Sequence, residues 1–165
     1  MPHLLDEKNV KMLTSHGVFT ETELRSRVEI MLENYCKTVV IEANTMVDMA
    51  KRQILPAIVE YTKEVSKEAN GKLAFAPEAS VAYEKAVVTR LSACAEGVLT
   101  ETEALEGLLA DLKECAGVEE ESCNIRDNIL PKMAQLRAVA DEAETLTSGK
   151  CWPFPTYGEL LFGVR

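Results

Sequence analysis

The sequence predicts an all-α fold, an elongated antiparallel bundle of three long helices, two of them kinked at Pro56 and Pro131, with short helices at the termini. Three observations predict it. Apolar residues recur in steps of three and four along three separate stretches, the spacing of a helix with one buried face. Ala, Glu, Leu, Val, Lys and Met are abundant, a usage that favours helix over strand. Only 6 prolines and 8 glycines interrupt 165 residues. That length, with 47% hydrophobic content, fills one sizeable core and leaves little room for a second, so residues 1–165 are expected to form a single domain.

The first element is a short helix from about Asp6 to Ser15, ended by Gly17 as a left-handed cap. Thr20 followed by Glu23 is a capping-box pattern, and Phe19 before it is spaced from Leu24 as in a hydrophobic staple. From there one seam runs through Leu24, Val28, Met31, Tyr35, Val39, Ala43, Met46, Ala50, Ile54, Ile58, Tyr61 and Val65. Pro56 lies inside it and removes a backbone hydrogen bond, which predicts a kink near Arg52-Gln53 rather than a stop. Asn70-Gly71 is expected to close this helix.

Residues 71–77 read as a connection, with Pro77 suited to the first position of the next helix. A second seam follows through Val87, Leu91, Cys94, Val98, Thr102, Leu105, Leu109, Leu112 and Ala116, and Gly117 is expected to end it. Gly97 and Gly107 each cost that helix about 1 kcal/mol relative to Ala, which a close helix crossing would explain. Glu119, Glu120 and Glu121 suit the first turn of a third helix, whose N-terminal dipole attracts negative charge. Its seam uses Ile125, Ile129, Met133, Leu136, Ala140, Ala143 and Leu146, with Pro131 inside it as Pro56 is inside the first. The short link between the second and third helices implies an antiparallel pair, with one continuous bent helix as the alternative. At ~1.5 Å per residue the first helix is near 75 Å long and the third near 45 Å. The first must therefore overhang, or fold at Pro56 into a four-segment bundle.

The formal net charge of -9 argues against nucleic acid and anionic membrane surfaces, both of which are bound through clustered Lys and Arg. No apolar run approaches the ~20 residues that span a bilayer, and the charged start, Met1 to Lys11, is unlike a signal segment, so a cytoplasmic location is expected. The five cysteines, Cys36, Cys94, Cys115, Cys123 and Cys151, are widely spaced with no Cys-x-x-Cys pair, which fits buried reduced thiols better than a disulfide framework or zinc knuckle. No phosphate-binding glycine loop, nucleophile elbow or His-Glu-x-x-His motif occurs. His3 and His16 lie outside the long helices, and His16 before Gly17 suits a helix C-terminus. Glu29, Glu33, Glu42 and Asp48 in the first long helix, with Glu101, Glu103, Glu106 and Asp111 in the second, lack the Glu-x-x-His partner of a di-metal bundle and read as solvated faces. No catalytic, cofactor-binding or metal residue is assigned.

Two features do suggest contact surfaces. Leu32, Cys36, Val40 and Val47 form a second apolar stripe beside the main seam of the first helix. The short N-terminal helix, the C-terminal tail or a partner must cover it. In the tail, residues 150–165, Trp152, Phe154, Tyr157 and Phe162 alternate with Pro153 and Pro155, which hold the backbone extended so that rings share one surface. Thr156 and Glu159 repeat the capping-box pattern and start a terminal helix, Tyr157 to Phe162. This tail docks either on the bundle's own groove or on another domain or subunit. The candidate interaction surface is Trp152, Phe154, Tyr157 and Phe162 with Leu32, Val40 and Val47.

His16-Gly17-Val18-Phe19-Thr20-Glu21, Ile41-Glu42-Ala43-Asn44-Thr45-Met46 and Gln53-Ile54-Leu55-Pro56-Ala57 resemble the opening of the C-terminal domain of type III glutamine synthetases. The ending Trp152-Pro153-Phe154-Pro155-Thr156-Tyr157-Gly158-Glu159-Leu160-Leu161-Phe162 is similar to that family's terminal signature. Residues 71–125 are only generically helical. The resemblance implies a larger parent enzyme that ligates ammonia to glutamate with ATP hydrolysis, uses a divalent metal (magnesium), and assembles into ring-shaped homo-oligomers. Its catalytic residues would precede residue 1, so the chain is expected to be an inactive, excised C-terminal domain. Its partners would then be the catalytic domain of the same chain and neighbouring subunits. A free-standing helical adaptor or regulatory protein is the alternative.

Overall fold

Thr20 begins the longest helical run as its sequence predicts. Its hydroxyl accepts the Glu23 N–H at 3.2 Å, and the Glu23 carboxylate accepts the Thr20 N–H at 2.8 Å, so two otherwise unpaired donors are satisfied at once. The computed structural model describes residues 2–163. Ahead of this cap lie a 3-10 turn, Pro2–Leu5, and α1, Glu7–Ser15, which ends at Gly17 with φ +64° in the left-handed region. Phe19 lies under the Arg27 guanidinium, whose carbon is 4.7 Å from the ring centre.

From this cap α2, Glu21–Met49, continues through a π-helical turn, Ala50–Ile54, into α3, Leu55–Phe75. The same arrangement recurs where α5, Val118–Asn124, passes through a π turn, Ile125–Ile129, into α6, Leu130–Leu146. Both π turns lie immediately before a Leu-Pro pair. In an unbroken α-helix a proline leaves the carbonyl four residues back without a partner and its ring collides with that group. Here the wider turn closes on the residue before proline, with Leu55 N–H bonded to the Ala50 carbonyl and Leu130 N–H to the Ile125 carbonyl. The interruption expected at Arg52-Gln53 is this turn. Because the helix passes through it, α2 and α3 do not pack side by side, and the four-segment alternative is not adopted.

α4, Ala82–Asp111, lies between the other two runs and packs along both α3 and α6. Ion pairs mark the directions. Lys72 with Glu84 and Lys51 with Glu106 tie α4 antiparallel to the first run. Arg90 with Glu142 and Lys132 with Glu101 tie it antiparallel to α6. Leu91, Val98, Thr102 and Leu105 of α4 are fully buried, facing Ile58, Ile125, Ile129 and Leu136. Thr102 is tolerated there because its hydroxyl donates to the Val98 carbonyl at 2.6 Å. Among the described residues there is no strand.

Several boundaries differ from those expected. Asn70-Gly71 does not end the first run. α3 continues to Phe75, where the Ala76 N–H reaches the Lys72 carbonyl at 2.7 Å and the Lys72 ammonium pairs with Glu84 across the hairpin. Pro77 is not the first residue of α4 but the second of a turn closed by Ala79 N–H to the Ala76 carbonyl at 2.9 Å, a position its fixed φ suits. α4 gives way after Asp111 to a 3-10 turn, Leu112–Glu114, and Gly117 caps the start of α5 rather than the end of α4. The break at Cys115 to Gly117 excludes one continuous bent helix. Of the two α4 glycines only Gly97 lies at a close crossing: a Cβ there would sit 2.9 Å from Val139 Cγ1, whereas Gly107 has nothing within 4 Å.

Candidate functional site

The second apolar stripe of α2 is covered by the chain itself. Cys36 is buried and its thiol points at the Val118 carbonyl at 3.9 Å, because α5 lies against α2. Val47 belongs to the buried core, and Val40 packs against that core from the edge of a cleft of about 600 Å³ with Leu109, Leu112 and Cys115. Leu32 is half-buried in a groove with Leu5, Val28 and Val118. Leu32, Val40 and Val47 are therefore not a free surface. The physical reason is that α5, the end of α4 and the N-terminal turn converge on one stripe, which the helical period of α2 alone does not reveal.

The tail divides into two parts. After α6, Thr147 and Ser148 turn the chain, with Trp152 N–H bonded to the Ser148 carbonyl at 3.0 Å, and the tail folds back over the bundle. Trp152 and Phe154 enter a groove between α6 and the end of α2, against Met46, Ala50, Ile54, Leu136 and Ala140. Their rings meet edge to face, 6.1 Å apart at 75°. The indole N–H is buried with no acceptor. Cys151 lies beside them with its thiol 3.7 Å from Glu64, and burial together with that carboxylate pushes the thiol pKa up. These two aromatic residues thus pack on their own bundle.

Beyond Pro155 the contacts change. Thr156 caps α7, Tyr157–Phe162, by the expected capping box, and Gly163 ends it at φ +56°. Leu161 and Phe162 stand 73% and 75% exposed, so this end of the tail offers an open apolar face. The side chain of Tyr157 lies outside the described residues.

Two further exposed aromatics, which the seams do not single out, sit at the α3–α4 hairpin. Phe75, the last residue of α3, is 93% exposed, and Tyr83, near the start of α4, is 73% exposed. The signal is one of register. Glu84, Val87 and Leu91 are the inward positions, so Tyr83 turns away from the core. Glu84 is buried, its pKa held below the ordinary carboxylate value by the Lys72 hydrogen bond, and its second oxygen has no partner.

The remaining titratable groups are scattered. Among the described residues no group of three or more His, Cys, Asp and Glu side chains could hold a metal ion. Burial raises the pKa of Cys36 and Cys94, which makes them poor nucleophiles. No helix among the described residues is long and apolar enough to cross a membrane.

A family profile described as the glutamine synthetase C-terminal domain matches residues 1–72. The chain is 36% identical over its whole length to the glutamine synthetase of Butyrivibrio fibrisolvens, covering 24% of that protein. Over 98% of its length it is 30% identical to the type-3 glutamine synthetase of Dictyostelium discoideum, covering 23%. A glutamine synthetase of Bacteroides fragilis (strain YCH46) is 29% identical over 97% of the chain, with 22% covered. The chain thus spans about a quarter of the length of these relatives. The chain matches the glutamine synthetase C-terminal domain over residues 1–72, and along nearly all of its length it is similar to the C-terminal quarter of glutamine synthetases.

Proposed function

We propose that this bundle is the non-catalytic C-terminal part of a glutamine synthetase-type ligase, one that joins ammonia to glutamate with ATP and magnesium in the cytoplasm. Its role is structural: it braces the catalytic part of the chain and contributes to contacts between subunits of a ring-shaped homo-oligomer. One observation carries the reading: the chain matches glutamine synthetases along nearly all of its length yet corresponds to only their C-terminal quarter. The exposed apolar face of α7 and the exposed hairpin aromatics support it, since such rings are kept in water at a cost unless a partner covers them. ATP and magnesium would be held by residues outside this bundle.

The test has two arms. The purified 165-residue chain, given glutamate, ammonium, ATP and magnesium, is expected to form no glutamine. Glutamine formation by this chain alone would overturn the reading, as would a stop codon in frame just before Met1. In the full reading frame, deleting the bundle is expected to weaken the assembly and lower its melting temperature.

A further inference from the structure

Where α3 and α4 approach their hairpin, a cleft of about 360 Å³ lies between them. Leu73 and Val88 give it apolar walls, and Ser66, Thr89 and Glu84 line it as well. Glu84 is the unusual member. It is only 5% exposed, a burial that carboxylates rarely reach without a partner. One of its oxygens accepts from the Lys72 ammonium, which holds the carboxyl in its ionised form. The other oxygen, Oε2, is closed off from water and has no hydrogen-bond partner among the described residues. A buried carboxylate oxygen without a donor is destabilising, and a charged donor brought to it is held more strongly than a neutral one.

The lining side chains do not supply that donor. The Ser66 and Thr89 hydroxyls give their protons to the carbonyls of Thr62 and Lys85, four residues back in their own helices, both at 2.8 Å. Each therefore has only accepting lone pairs left. Lys85 also borders the cleft, but as the immediate neighbour of Glu84 along the helix it leaves on a different face, and it is exposed. The cleft thus combines three accepting oxygens, one of them charged, with apolar walls. A primary ammonium matches this set: it has three N–H donors and a positive charge, and an alkyl chain attached to it suits Leu73 and Val88. The terminal torsion of a glutamate is soft, so a small turn carries Oε2 toward a ligand in the cleft. The net charge of -9 also favours the approach of a cation.

We propose that this cleft is a binding site for a small alkylammonium ligand, with its ammonium on Glu84 Oε2 and its alkyl chain against Leu73 and Val88. The site is independent of the reading of the bundle as part of a ligase, because it rests on α3 and α4 alone.

The test is a titration of the isotope-labelled 165-residue chain with butylammonium chloride at constant ionic strength, followed through its amide resonances by NMR. Saturable shifts centred on the residues that line the cleft are expected, half-complete at about 1 mM or below. Tetramethylammonium has the charge without an N–H, and butanol has the chain without the charge. Each should bind at least tenfold more weakly than butylammonium. Glu84→Gln should weaken butylammonium binding at least tenfold. The double variant Ser66→Ala/Thr89→Val leaves the Lys72–Glu84 pair in place and should weaken binding several-fold without moving the melting temperature, and it decides the matter should Glu84→Gln fail to fold. Absence of saturable shifts, equal binding of tetramethylammonium or butanol, or undiminished binding by either folded variant would overturn the proposal.

Discussion

Two glycines on α4 should answer the same substitution with opposite signs. Replacing glycine by alanine inside a helix stabilises by about 1 kcal/mol, because the glycine backbone has more freedom to lose. Gly107 is exposed, with nothing within 4 Å of the position its Cβ would take, so Gly107→Ala should stabilise by that full amount. At Gly97 the new Cβ would lie 2.9 Å from Val139 Cγ1 and 3.6 Å from Cγ2. Carbon atoms rest at about 3.5 to 4.0 Å, so the first contact is too close by roughly half an ångström or more. Valine in a helix has one strongly preferred rotamer and cannot swing aside, so α4 and α6 must separate. Overpacking of this kind costs about 1 to 3 kcal/mol, which offsets or exceeds the propensity gain. Gly97→Ala should therefore be less stable than Gly107→Ala by about 1 to 3 kcal/mol. Urea unfolding followed by far-UV circular dichroism measures the difference, with the dependence on urea unchanged. Adding Val139→Ala removes the collision, so the double-mutant cycle should show favourable coupling. Equal stabilisation by both alanines, with no coupling to position 139, would refute the close crossing of α4 and α6.

Thr20→Ala removes one half of the capping box and should cost about 1 kcal/mol in guanidinium unfolding; no change would mean that α2 is held by its packing alone. The Glu84 carboxyl is held below the ordinary carboxylate value by its hydrogen bond from Lys72, so its contribution is complete above that ordinary value and is lost as pH falls through the lower folded-state value. The thermal midpoint should drop more steeply below about pH 4.5 for the native chain than for Glu84→Gln, and parallel profiles would count against the pair. Trp152 is the only tryptophan, so its fluorescence reports tail docking. Phe154→Ala should shift the emission to longer wavelength and cost about 2 kcal/mol, part of the price of a fully buried phenylalanine. Phe162→Ser, at a residue 75% exposed, should change neither the emission nor the stability.

The fold was legible because its strongest signals are local. A capping box joins residues three apart, and a seam repeats within one or two turns, so Thr20 with Glu23, Thr156 with Glu159 and the three apolar stripes are written in the order of residues alone. The Ile-Leu-Pro steps at 54–56 and 129–131 likewise mark the two interruptions, since a missing N–H disturbs the turn just before it. The contact surface was less legible. Leu32, Val40 and Val47 read as a stripe that something must cover, and nothing nearby in sequence says that α5 and the end of α4 do so together with the N-terminal turn.

By itself, then, the sequence determined the helices, the two starts capped by Thr20 and Thr156, the positions of the proline interruptions and the aromatic character of the tail. Only the tertiary structure decided that α3 runs on past Asn70-Gly71 to a hairpin tied by Lys72 and Glu84. It also decided that Gly97 rather than Gly107 meets a neighbour, that Trp152 and Phe154 pack inward while Phe162 does not, and that Phe75 and Tyr83 stand in water. Each of these depends on the register between helices. Register is set by side chains far apart in the chain that meet only after the bundle has closed.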